Sequence, residues 1–139
     1  GFLPEQPYFY DYLTGREFLW FYGQLAGLRW GELKARVKEV SELVSMKPDA
    51  MDRKLRTYSK GMLQRIGLAQ ALLSRPRMVI LDEPMSGLDP LGRRDVRNLL
   101  KNLHSQGTTV FYSSHVLSDD RDPASLTIDN RAAACDVWT

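Results

Sequence analysis

The 139-residue sequence has a single cysteine, Cys135, which excludes an internal disulfide framework and a zinc cluster built on cysteines. Its most apolar run, Phe18–Tyr22, is far shorter than the ~20 residues that a membrane-spanning helix needs. The first residues carry several charges and do not resemble a signal peptide. No glycine is followed by lysine, so the phosphate-binding motif Gly-x-x-x-x-Gly-Lys-Ser/Thr does not occur in this sequence.

An excess of charge of one sign is also missing. The chain has 19 Lys and Arg against 17 Asp and Glu, a formal net charge of +2, and the two signs are mixed along its length. Without a basic arm, the composition favours neither a nucleic acid nor an acidic partner. The 43% of hydrophobic residues and the length suit one globular domain with a core of its own.

The first half of the chain is predicted to be helical. Thr14–Glu17 has the spacing of a capping box and starts a helix that we expect to run to about Leu28. A second helix is predicted over about Gly31–Met46, where apolar residues recur four and three positions apart, and Pro48 is expected to close it. A third helix follows Tyr58–Met62.

The second half contains two predicted strands. The short apolar run Met78–Leu81 is typical of a strand buried on both faces of a parallel sheet. An amphipathic helix then leads to a β-rich run, Thr108–Tyr112, which ends at Ser113–His115. Strand, helix and strand in this order predict a right-handed parallel unit and therefore an α/β fold.

Chemically capable side chains follow both predicted strands: Asp82 and Glu83 after the first, His115 after the second. Ligands bind at the carboxyl ends of such strands. The first carboxylate can hold Mg²⁺ and the second can orient and partly deprotonate an attacking water, as phosphoryl transfer requires. The neighbouring histidine can contact a γ-phosphate. The alternative for an isolated Asp-Glu-Pro is a turn with a helix cap.

In this sequence Asp-Glu-Pro is not isolated, because the residues around it form a longer motif. Leu81–Pro84 followed by Ser86–Asp89 resembles the Walker B segment, catalytic glutamate and D-loop of the ATP-binding-cassette (ABC) family. Tyr58–Met62 resembles the signature segment of that family, and His115 falls where the family has its switch histidine. Gly1–Glu5 is similar to the Q-loop region. The four elements occur in family order, and the resemblance covers roughly residues 1 to 119.

The resemblance implies roles for individual residues and two ligands, ATP and Mg²⁺. Glu83 and His115 are implied to be catalytic, and Asp82 and Glu5 to bind the metal. The residues implied to contact nucleotide, partly across a head-to-tail dimer, are Ser59, Lys60, Gly61, Met62, Asp89, Glu5 and Gln6. Alignment at the Q-loop leaves open whether Glu5 or Gln6 takes the place of the family's glutamine.

On this basis we expect four segments: the Q-loop region (1–13), a helical signature subdomain (14–75), part of a P-loop NTPase core (76–119) and a tail without a match (120–139). Because Pro123 and a run of alanines occupy the tail, we expect neither the helix nor the strand that the family has there, and a frame shift is the expected cause. The edge of the last strand should then stay unpaired.

The function implied is that of the ATP-hydrolysing subunit of a transporter, on the cytoplasmic face of a membrane. Its expected partners are a transmembrane permease and a second cassette, with no nucleic acid. The Ser-Lys-Gly-Met signature resembles bacterial exporters and favours export. The 139 residues alone are expected to be inactive, because the phosphate-binding loop lies upstream in this family. The alternatives are a cassette ATPase acting on ribosomes or DNA, or a non-catalytic remnant.

Several aromatic residues admit two interpretations. They either form part of the core or line the surface on which the membrane partner docks; they are Tyr8, Phe9, Tyr10, Tyr12 and Trp20. His104 is expected to be an ordinary residue on a helix surface, and Cys135 a spare thiol.

Overall fold

The computed structural model describes residues 1–114, 126–130 and 133–138. The helices are α1 (Gly15–Leu25), α2 (Trp30–Leu43), α3 (Pro48–Met51), α4 (Lys60–Leu72) and α5 (Pro90–Ser105), with a 3₁₀ turn at Leu55–Thr57. The strands are β1 (Phe2–Leu3), β2 (Met78–Leu81), β3 (Thr109–Ser114), β4 (Leu126–Asn130) and β5 (Ala133–Trp138). In the described part of the chain, no helix has the length and apolar character that crossing a membrane requires.

The strands form one sheet in the order β1-β2-β3-β5-β4. Its first three strands are parallel, with Leu3 opposite Leu81 and Leu81 opposite Tyr112. Helix α5 connects β2 to β3, which is the predicted strand-helix-strand unit. The expected α/β class, a parallel sheet with flanking helices, is therefore confirmed.

The expectation that the edge of β3 stays unpaired is wrong. Strand β5 pairs with it in antiparallel orientation, from Val110 opposite Trp138 to Ser114 opposite Ala134, and β4 pairs with β5. Strand pairing uses backbone N–H and C=O groups, so an alanine-rich run can form it although its side chains do not favour a strand. The expectation that the tail forms no strand is therefore also wrong. The expected absence of a helix concerns a stretch that includes residues 115–125, which lie outside the described residues, and the frame shift stays a prediction.

Strand β2 is not buried on both faces, contrary to our expectation. Val79 and Leu81 belong to the core that the apolar side chains of α4 and α5 share. Met78 and Ile80, on the opposite face, are 50% and 38% exposed. Four apolar residues in a row cannot reveal which faces are covered, because that depends on the helices that pack there. Among the described residues, the face of Met78 and Ile80 is open.

The helical part starts as predicted but ends its helices earlier. In the capping box, the N–H of Glu17 donates to Thr14 Oγ1 over 3.1 Å and the N–H of Thr14 donates to Glu17 Oε2 over 2.7 Å. These bonds hold the pKa of Glu17 below its ordinary value. Helix α1 ends at Leu25, before Gly27 with its φ of +79°, and α2 ends before Ser45, with a φ of +57°. Pro48 opens α3 as its first residue and does not close α2.

A buried arginine joins α2 to the end of α4. Arg36 donates from Nε to the carbonyl of Leu73 over 2.9 Å and from Nη2 to that of Leu72 over 2.5 Å. Its Nη1 lies 2.7 Å from Glu39, which also pairs with Arg75. The hydrogen bonds from the two arginines lower the pKa of Glu39. The last carbonyls of α4, which lack partners within the helix, are thus satisfied by a charged side chain.

The aromatic residues of the Q-loop region and α1 divide between the two interpretations. Phe9, Tyr10 and Trp20 are half-buried and pack against the core. Tyr8 and Tyr12 are 81% and 63% exposed, and each ring contacts that of Tyr10. The core interpretation is therefore confirmed for the first group. A docking role for Tyr8 and Tyr12 stays a prediction.

Candidate functional site

The candidate site lies where the three parallel strands end. Asp82 follows β2 directly, and its N–H donates to the carbonyl of Leu3, the last residue of β1, over 2.7 Å. Ser113 is the penultimate residue of β3, the strand on the other side of β2. Because parallel strands end at one edge of a sheet, these groups lie close together at its carboxyl edge.

One hydroxyl group connects the two predicted site residues Asp82 and Glu83. Ser113 Oγ donates to Asp82 Oδ1 over 2.5 Å. The same oxygen accepts a hydrogen bond from the backbone N–H of Glu83 over 3.1 Å. Because a serine hydroxyl can donate once and accept at the same time, one side chain of β3 orients both the Asp82 carboxylate and the Glu83 backbone.

Glu83 has an unusual backbone conformation. Its φ is +49°, in the left-handed region that costs a residue other than glycine about 1 kcal/mol. Its carbonyl accepts from Gln64 Nε2 over 3.1 Å and from the N–H of Ser86 over 3.0 Å. The residue is only 8% exposed. Strain of this kind persists only where the surroundings hold the backbone, and it is frequent at functional sites.

The signature segment, Tyr58–Met62, forms the start of α4. Ser59 is the N-cap, and its Oγ accepts from the N–H of Met62 over 3.2 Å. Ser59 and Lys60 are exposed, and Gly61 is half-buried. The first turn of this 13-residue helix thus presents backbone N–H groups and the positive end of the helix dipole to solvent.

The D-loop, Ser86–Asp89, lies against the signature segment. The side chain of Lys60 packs on Gly87, and a Cβ at Gly61 would lie 3.3 Å from Leu88 Cδ2. Asp89 caps α5, since its Oδ1 accepts from the N–H of Gly92 over 2.9 Å. Asp89 is exposed, and its predicted contact across a dimer stays a prediction beside this capping role.

Glu5 and Gln6 are exposed and follow β1 at the same edge of the sheet as Asp82. Within the described ranges, no group of three or more His, Cys, Asp or Glu gathers as a metal site. Mg²⁺ commonly binds proteins through only one or two carboxylates, with water and phosphate oxygens completing its shell. The exposed carboxylates of Asp82 and Glu5 are hard oxygen donors and fit that requirement. His115 lies outside the described residues.

The comparisons with known proteins identify the family. The family model described as ABC transporter matches residues 1–86. The chain belongs to the ABC transporter family. An uncharacterized ABC transporter ATP-binding protein of Synechocystis sp. is 51% identical to this chain over 120 residues, which are 86% of this chain and 34% of that protein.

Two further relatives have more specific names. The bacitracin transport ATP-binding protein BcrA of Enterococcus faecalis is 44% identical over 120 residues, which are 86% of this chain and 38% of that protein. The linearmycin resistance ATP-binding protein LnrL of Bacillus subtilis is 40% identical over 119 residues, which are 86% of this chain and 38% of that protein. This chain thus spans little more than a third of the length of these relatives.

Solved structures share the fold. A dimeric ATP-binding cassette in a post-hydrolysis state with ADP and Pi has a TM-score of 0.70 and 20% sequence identity, covering 81% of this chain and 57% of that one. A second dimeric structure of a bacterial ABC transporter cassette has a TM-score of 0.71 at the same identity and coverage. At this identity the likeness shows the fold alone.

Two residues of the candidate site, Gln64 and Ser113, were not predicted from the sequence. A signal existed for Gln64, because it shares a helix face with Gly67 and Leu68, three and four positions further along α4, and this face is buried. A buried amide must find a hydrogen-bond partner, but the sequence does not say which. Ser113 carries no comparable signal, since serine is common where strands end.

Proposed function

We propose that the chain is part of the ATP-binding and ATP-hydrolysing subunit of an ABC transporter, which works as a head-to-tail dimer. The observation that carries the proposal is the backbone of Glu83, held between Ser113 and Gln64 beside an exposed Asp82. A glutamate whose backbone is held this way at the end of a parallel strand suits a general base. The names of the relatives, all ATP-binding proteins, support the same activity.

In this proposal Glu83 orients the attacking water and accepts its proton. Asp82, with Glu5 or Gln6, holds Mg²⁺, which when bound neutralises charge on the phosphates. His115 contacts the γ-phosphate. Binding and positioning of the nucleotide supply most of the catalysis in phosphoryl transfer, so the order of these groups at the sheet edge matters more than their acidity.

The signature segment and Asp89 serve the second subunit in this proposal. The exposed first turn of α4, with Ser59, Lys60, Gly61 and Met62, binds the γ-phosphate of ATP held by the partner cassette. Closure of the two cassettes on ATP drives a transmembrane permease, and the chain works at the cytoplasmic face of the membrane. Export is the proposed direction, which a bacitracin transport protein and a linearmycin resistance protein among the relatives support.

We further propose that residues 1–139 alone do not turn over ATP, because the sequence lacks a loop that holds the phosphates. Mg²⁺-dependent turnover by the purified 139-residue chain, with contaminating ATPases excluded, would contradict this point.

The test of the function uses a longer protein in which this chain is joined to the missing N-terminal part of a cassette. Glu83→Gln should lower hydrolysis by about a hundredfold or more, because the amide keeps the size of the side chain but accepts no proton. ATP binding should be retained. Glu42→Gln, at an exposed position on α2, is the matched control and should leave the rate unchanged. Hydrolysis by Glu83→Gln near the parent rate would refute the assignment of the base.

A further inference from the structure

We infer that Gln64 is a positioning residue for Glu83, through which the signature helix α4 holds the general base in place. The inference rests on the proposed function, in which Glu83 accepts the proton of water. Gln64 is 4% exposed, and its Nε2 donates to the carbonyl of Glu83 over 3.1 Å. A buried amide that donates to one backbone carbonyl is placed by that contact and not by solvent.

The backbone of Glu83 sets the direction in which its side chain leaves the chain. The positions of N, Cα and C fix where Cβ lies, so any group that holds both peptide units beside Glu83 fixes the starting point of the side chain that carries its carboxylate. Gln64 holds the carbonyl, and Ser113 accepts from the N–H over 3.1 Å. The φ of +49° would otherwise be disfavoured, so the two side chains together select a conformation that Glu83 does not prefer by itself.

The two holding groups come from different parts of the fold. Ser113 belongs to β3 in the α/β core, whereas Gln64 belongs to α4, whose N-cap Ser59 is part of the signature segment. Rotation or sliding of α4 relative to the sheet therefore moves the donor of the carbonyl bond. In this way the same helix that meets the partner's nucleotide sets the geometry of the base on its own subunit.

The experiment compares Gln64→Met with Gln70→Met in the longer protein that contains the N-terminal part of the cassette. Methionine is close in size to glutamine but donates no hydrogen bond. Gln70 lies in the same helix, is half-buried and makes none of the described side-chain hydrogen bonds. Gln64→Met should lower kcat by about tenfold or more, as small displacements of catalytic groups do, with ATP affinity unchanged. The melting temperature should fall by only a few degrees, because one buried hydrogen bond contributes about 1 kcal/mol. Gln70→Met should leave kcat near the parent value.

A double-mutant cycle with Glu83→Gln separates positioning from a general structural role. If Gln64 acts through Glu83, Gln64→Met has no further effect on the residual single-turnover rate of Glu83→Gln. An equal fold-loss in both backgrounds, or an unchanged kcat for Gln64→Met, overturns the inference and leaves the proposed function standing. Parent-like hydrolysis by Glu83→Gln alone overturns both. If Gln64→Met does not fold, Gln64→Asn, whose amide is too short to reach the carbonyl, is judged by the same criteria.

Discussion

The side chain of Lys60 lies across Gly87, so that a Cβ built on Gly87 would come within 2.5 Å of Lys60 Cδ. Gly87 has a φ of +70°, which an L-residue adopts only with strain. A lysine of the signature segment and a glycine of the D-loop thus fit each other directly. Any larger residue at position 87 must displace the lysine as well as accept the strained backbone.

Gly87→Ala should therefore destabilise the chain more than Gly107→Ala. Gly107 has a φ of +87° but open space around its Cα, so its replacement costs backbone strain alone, about 1 kcal/mol. The extra loss at Gly87 should disappear when Lys60→Ala is added. Urea unfolding of Gly87→Ala, Gly107→Ala, Lys60→Ala and the double variant measures these differences. Equal losses at the two glycines would show that the contact of Lys60 with Gly87 is unimportant.

Ser59 should distinguish helix capping from phosphate binding. Ser59→Asp keeps a good N-cap, so stability should change by less than about 0.5 kcal/mol, but its negative charge opposes the γ-phosphate of the partner's ATP. Ser59→Arg fills the same place with a bulky side chain and loses the cap. Both should abolish ATP-dependent dimerisation of the longer protein while a monomer still binds ATP. Dimerisation by the Asp variant, measured by size exclusion with ATP, would refute the role across the dimer.

Two glycines of the helical part should respond to alanine in opposite directions. A Cβ at Gly23 of α1 would collide with Leu33 Cδ1, which is buried in α2, so Gly23→Ala should cost about 1–3 kcal/mol of unfolding free energy. Gly31 lies in the first turn of α2 with open space around it. Gly31→Ala should stabilise the chain by about 0.4–1 kcal/mol. Thermal and urea denaturation provide the comparison, and a neutral Gly23→Ala would mean that α1 and α2 separate easily.

Arg36→Met should be strongly destabilising. It would leave the carbonyls of Leu72 and Leu73 without the Arg36 donor and remove one of the two arginines that pair with Glu39, at a cost of about 2–4 kcal/mol. The control is Lys38→Met on the same helix. Within the described part of the chain, Lys38 makes a single ion pair, an exposed one with Glu42 at 3.9 Å, so its loss should cost at most about 0.5 kcal/mol. Similar urea midpoints for the two variants would contradict the structural role of Arg36.

Local signals in the sequence predicted the elements and much of the site. The Thr14 capping box and the strand before Asp82 were placed correctly, because short-range spacing determines both. The strained backbone of Glu83 and its bond to Gln64 were not foreseen. They depend on how α4 packs against the loop after β2, a contact between residues 19 positions apart in sequence.

The wrong predictions concern the helix ends and the last strands, and each has a physical reason. The helices α1 and α2 end just before Gly27 and Ser45, which have left-handed backbone conformations. A sequence suggests such a conformation for glycine but not for serine. The pairing of β5 with β3 uses backbone groups that every residue carries, so side-chain preferences gave the wrong answer.

The open face of β2 has a practical consequence for work with these 139 residues. Phe2, Ile80 and Phe111 stand opposite one another across three strands, in one apolar row on that face. An apolar row of this kind favours association between copies of the chain, and the associated fraction rises with the concentration of the chain. The melting temperature of the purified chain should therefore change with dilution, and refolding should give its best yield in the most dilute samples.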